Sequence, residues 1–135
     1  MERLCERNVT MATSFSAETV ARVGRAEEIE LETRAAASAP TRRTIIWIVA
    51  DRANLYVRSV RGPQGKWYQR VQHHPRATLH AGAQTLTVRL APVTDTAEID
   101  RISAAYRRKY AADASAVQAM LAPATLPTTM KVTPA

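Results

Sequence analysis

The sequence predicts an α+β fold around a small antiparallel barrel. Three observations carry that prediction: two hairpin signals, at least five short alternating or β-branched runs, and amphipathic helical stretches at the periphery. The chain has 135 residues, which fits one domain and is long enough to bury a core without disulfides. Residues 1–12 are expected to be a disordered extension, with Met11 offering a second start, and residues 13–135 the domain. The lone Cys5 cannot form an internal bridge, which suits a reducing cytoplasm.

The elements follow in order. Ser16 can cap a first helix, with Phe15 stapled onto Val20 and Gly24 closing it in left-handed conformation. Glu28 to Thr33 alternates strictly and reads as a half-buried strand. Residues 34–41 connect it to Thr44–Ala50, a β-branched and aromatic run expected to be one strand covered on both faces. Asp51–Asn54 turns the chain into Leu55–Val60, whose alternation places Tyr56, Arg58 and Val60 on one face.

A glycine loop, Arg61–Lys66, leads to a short helix from Trp67 to Gln72 that His73-His74-Pro75 stops. Ala77–Ala81 and Gln84–Ala91 make a second hairpin about Gly82-Ala83. Asp95 and Glu98 form a capping box for a helix with Ile99, Ile102, Tyr106 and Tyr110 in one stripe. A short helix near Ser115–Leu121 and a closing strand over Thr125–Val132 complete the chain.

Charge sharpens the functional reading. The chain carries 19 basic and 12 acidic residues, a net +7. Residues 35–90 hold nine of the cations against Asp51 alone, so the excess belongs to the middle. No run approaches the ~20 apolar residues that span a bilayer, and Met1–Arg7 lacks the apolar region expected of a secretory peptide. The three histidines and single cysteine show no metal-ligand spacing, and no nucleophile motif is present. Nucleic-acid binding through the basic middle is disfavoured by the seven aromatics, most of which already have core positions.

An anion cradle remains. From Arg58 to Trp67 the chain offers forked donors, a serine hydroxyl, a glycine loop and a helix start, the set a phosphate needs. The spacing is neither a Walker A motif nor a dinucleotide fingerprint. Trp47, Trp67 and Tyr68 could flank a planar ring. Core packing is the favoured reading for Trp47, and for the other two the readings stand level.

The residues Thr44-Ile45-Ile46-Trp47-Ile48-Val49, Leu55-Tyr56-Val57-Arg58-Ser59-Val60-Arg61-Gly62, Trp67-Tyr68, Ala81-Gly82 and Ala105-Tyr106-Arg107-Arg108-Lys109-Tyr110 together resemble a bacterial domain family of unknown function grouped with the FMN-binding split barrels. The middle also resembles the deazaflavin-dependent nitroreductases and quinone reductases. The resemblance implies a six-stranded split β-barrel and a phosphorylated cofactor, FMN or a deazaflavin, lying against the loop after the third strand. It points to Arg58, Ser59, Arg61, Gly62, Lys66 and Trp67 around the phosphate, with Thr44 and Trp47 near the ring. It assigns no catalytic side chain and no role to Tyr106 or Lys109.

The expected activity is reduction of a small organic acceptor by a cytoplasmic protein, with a homodimer as the implied assembly. A non-catalytic ligand-binding or dimerisation domain with a degenerate site is the alternative. Alanine at Arg58 and Arg61 is expected to weaken flavin binding while sparing the melting temperature.

Overall fold

The computed structural model describes residues 14–135. The expected extension over residues 1–12 and Cys5 lie outside them. Helix α1 (Ala17–Gly24) starts where Ser16 accepts a hydrogen bond from the Thr19 amide, and Phe15 packs against the core beside Val20. Gly24 does not take the expected left-handed conformation. It is the last residue of the helix, and a side chain is excluded there because a Cβ would lie 2.8 Å from the Ala50 Cβ.

The strands are β1 (Ile29–Thr33), β2 (Arg42–Ile46), β3 (Ile48–Asp51), β4 (Asn54–Val57), β5 (Arg76–Ala81), β6 (Gln84–Pro92) and β7 (Met130–Pro134). They form one antiparallel sheet in the order β2-β1-β5-β6-β7-β4-β3. Strands β2 and β3 are its two edges, yet only Trp47 separates them in sequence. Ile46 and Ile48 are two peptide units apart and so lie within ~8 Å of each other. The two edges must therefore meet, so the sheet curls into a half-barrel.

That closure explains why seven strands replace the six expected. The run Thr44–Ala50 divides at Trp47, which belongs to neither ladder. Ile46 and Ile48 both point into the barrel, so Trp47 between them points out. The expectation of one strand covered on both faces is corrected too: Ile45 is 60% exposed at the open edge.

The sheet has two cores. Inside the curl, Leu31, Ile48, Leu55, Val57, Leu79, Val88 and Val132 pack with helix α2 (Lys66–His73) and α1. Outside, Val49 and Tyr56 pack against α3 (Thr96–Lys109), which Asp95 caps by accepting from the Glu98 amide. A short helix α4 (Ala114–Met120) follows. The expected strand from Thr125 begins only at Met130, because Pro123–Thr128 forms a 3-10 turn. Hydroxyls of Thr125, Thr128 and Thr129 donate to carbonyls five or fewer residues back, competing with any ladder.

Arg58 joins these pieces. Strand β4 ends at Val57, and the Arg58 side chain enters the outer core, 1% exposed. Its guanidinium donates to Thr129 Oγ1 at 2.8 Å, to the Ile99 carbonyl at 2.9 Å and to the Met120 carbonyl at 3.3 Å. It also lies 5.5 Å from the centre of the Tyr106 ring. Burial pulls its pKa below the ordinary arginine value.

The expectation that alanine here spares stability is therefore reversed. Arg58→Ala leaves three buried acceptors without donors and should cost about 3 kcal/mol, or roughly 10 °C in melting temperature. Differential scanning calorimetry against Arg61→Ala, which should change little, checks this.

Candidate functional site

The loop after β4 owes its shape to two glycines. Ser59 Oγ donates to the Gly62 carbonyl at 2.8 Å, and the Ser59 amide donates to Thr128 Oγ1. Gly62 has a φ of +65°, and a Cβ there would lie 2.9 Å from the Ala124 carbonyl oxygen. At Gly65 a Cβ would lie 2.1 Å from Ser59 Oγ. The loop is thus drawn onto the barrel more closely than any side chain permits. Gly65 is also the N-cap of α2 and brings no capping oxygen, and no acidic residue stands in the first turn.

A cation occupies that turn instead. Lys66 opens α2, at the helix end where the dipole disfavours positive charge. Arg61 is exposed and lines one cleft with it, and neither makes an ion pair among the described residues. Two cations and uncapped amides form a positive spot that an anion would neutralise.

These groups border a cleft of about 550 Å³. Its walls combine Thr44, Ile45, Ile46 and Trp47 from the strand break with Val60, Gly65 and Trp67 from the loop and α2. Of the residues singled out in the sequence, Thr44, Trp47, Arg58, Ser59, Arg61, Lys66 and Trp67 all line it. Gly62 does not, being buried against Ala124. Arg58 and Ser59 reach the wall with 1% exposure each, their donors engaged within the protein.

Sequence reasoning missed the far wall, Ala116, Ala119 and Met120 of α4. Their spacing of three and four marked a helix face, but alanine carries no chemical signal. It also missed that Ile45 and Val60, 60% and 54% exposed, flank the same opening.

The break at Trp47 leaves carbonyls outside the ladder, and α3 satisfies them. Tyr106 Oη donates to the Trp47 carbonyl at 3.4 Å. Lys109 Nζ donates to the carbonyls of Ala26 and Ile48, each at 2.5 Å. Tyr110 Oη donates to the Glu27 carbonyl at 2.6 Å and the Ile48 carbonyl at 3.3 Å. The Trp47 indole lies flat on the Tyr110 ring, with centres 3.8 Å apart and planes 4° apart. Burial lowers Lys109 to a pKa of about 8, opposed by the Glu27 charge, and raises Tyr110 to about 12. Among the described residues no group of His, Cys, Asp and Glu is arranged to hold a metal, and no helix is long and apolar enough to cross a membrane.

Residues 19–132 match the family described as "Uncharacterized protein conserved in bacteria (DUF2255)". The chain belongs to that family. No curated protein matches it by sequence. Among solved structures it is similar to HutZ, a heme storage protein from Vibrio cholerae, at 10% identity and a TM-score of 0.66, covering 90% of this chain and 92% of that one. It is similar to an F420-H2 dependent reductase at 14% identity and a TM-score of 0.59, covering 79% and 93%. A third, solved as a domain-swapped dimer, has 14% identity and a TM-score of 0.60, covering 96% and 92%. These likenesses establish the split-barrel fold.

Two outcomes test the geometry. Gly65→Ala should cost about 1–3 kcal/mol by overpacking, and adding Ser59→Ala should recover most of it. For Lys109, the folded chain gives up near pH 8 a proton that an ordinary lysine holds to 10.5. Its contribution to stability is therefore fully present above about 10.5 and lost as pH falls through 8. In denaturant titrations the parent should gain on Lys109→Met between those values, and a constant difference would contradict the assignment.

Proposed function

We propose that this chain binds a phosphorylated flavin, FMN or a deazaflavin, in the cleft and uses it to reduce a small organic acceptor. The observation that carries this reading is the pairing of an apolar, aromatic-walled cleft with an unneutralised positive spot at its rim. Apolar walls with a few placed polar groups are the usual form of a cofactor site. The volume of about 550 Å³ lies within the roughly 300–1,000 Å³ range of such sites.

The residues present fit the group. Arg61, Lys66 and the opening amides of α2, which no side chain caps, would hold the phosphate. Arg58 and Ser59, whose donors face the protein, would shape the loop rather than touch the ligand. Trp47 and Trp67 would flank the ring, and Thr44 offers a hydroxyl beside it.

When bound, the flavin would supply hydride transfer, and the protein would position it and limit water. The similarity to an F420-H2 dependent reductase supports this reading at the level of fold. Heme is a poorer fit, since Met120 is the one cleft residue of a type that ligates heme iron. A homodimer is part of the proposal, supported by the domain-swapped relative.

Titration with FMN and with reduced F420, followed by absorbance and fluorescence, should give micromolar or tighter binding to one of them. Arg61→Ala with Lys66→Ala should weaken it at least tenfold, about 1.4 kcal/mol or more, and flatten its salt dependence. Failure of both flavins to bind would leave the non-catalytic reading. Binding of hemin alone would redirect it to heme, and salt-sensitive retention of DNA to nucleic acid.

A further inference from the structure

The flavin reading leaves unused Tyr106, Lys109 and Tyr110. Lys109 and Tyr110 follow Tyr106 by three and four residues at the end of α3, Tyr110 being its C-cap, so the three share one face. All of their polar atoms converge on the backbone at the strand break. Tyr106 takes the Trp47 carbonyl, and Lys109 and Tyr110 both take the Ile48 carbonyl. Lys109 and Tyr110 also reach the end of the α1 segment, at Ala26 and Glu27. The rings follow the same pattern: Tyr110 covers one face of the Trp47 indole, and Tyr106 lies 6.1 Å from Tyr110.

We infer that this face of α3 is a positioning clamp for the cleft, with Tyr110 fixing the Trp47 indole in the plane that forms the cleft wall. A residue that pairs with neither ladder has no strand neighbour to fix its backbone, so its side chain would sample several directions. Three donors on one rigid helix remove that freedom in the backbone, and a parallel ring 3.8 Å away removes it in the side chain. Trp47 is the only aromatic that the break contributes to the cleft, so the clamp sets how a planar ligand is received. Tyr110 is not among the cleft-lining residues and so acts only through Trp47.

The inference rests on the cleft being the ligand site, and its test separates the two claims. The chain holds two tryptophans, so Trp67→Phe leaves Trp47 as the single indole reporter. In that background without ligand, Tyr110→Leu should shift the emission to the red and raise acrylamide quenching about twofold, while Tyr110→Phe, which keeps the ring, should match the parent. With Trp67 intact, Tyr110→Leu should weaken FMN binding about 3- to 10-fold and Tyr110→Phe should leave it unchanged.

Unchanged emission and quenching in Tyr110→Leu would overturn the clamp, as would equal changes in the leucine and phenylalanine variants. Should leucine unfold the chain, the upfield ring-current displacement of the Trp47 indole protons carries the test, and its absence overturns the inference. A parent that binds no flavin defeats the flavin reading, and the ligand-free emission still decides the clamp.

Discussion

One chain constraint governs this molecule: the passage from one edge of the sheet to the other through the single residue Trp47. A flat sheet of seven strands would place its edges roughly 28 Å apart, six spacings of about 4.7 Å. The two peptide units from Ile46 to Ile48 reach less than ~8 Å and cannot bridge that, so curling is obligatory. The curl encloses the inner core, turns Trp47 outward and leaves its carbonyl without a ladder partner. Helix α3 then serves two ends, covering the outer apolar face through Ile102 and Tyr106 and supplying donors where the ladder stops.

The cleft is the other consequence of the same break. The open edge β2 cannot pair with β3, so the space between Thr44–Trp47 and the loop after β4 is filled neither by a strand nor by a side chain. Arg58 holds the opposite wall in place, tying the end of β4 to α3, to the end of α4 and to Thr129. A buried guanidinium serves here because its donors spread in three directions from one point. The walls are therefore rigidly held while their rim stays cationic, a combination that favours a preorganised anionic ligand.

Local patterns were legible where local physics decides. Ser16, Asp95 and the stripe Ile99, Ile102, Tyr106 and Tyr110 identified two helices, and the hairpin about Gly82-Ala83 appears where it was expected. What stayed hidden depends on distant partners. The uniform run Thr44–Ala50 bears no mark of its break, because Ile46 and Ile48 keep the strand alternation straight across it. Arg58 reads as part of a basic loop because its three acceptors lie 41, 62 and 71 residues away. The cleft followed the same rule. Most of the residues singled out do line it, since they cluster in two short stretches, whereas α4 joins it only through the tertiary fold.

The central claim, that the cleft rim receives a phosphorylated flavin, is tested most directly by mapping FMN binding on the backbone amides by NMR. The largest shifts are expected at Arg61, Lys66 and Trp67, accompanied by the indole N–H of Trp47. Shifts confined to the exposed face of β5 and β6, around Thr78 and Thr87, or no shifts at millimolar FMN, would contradict it.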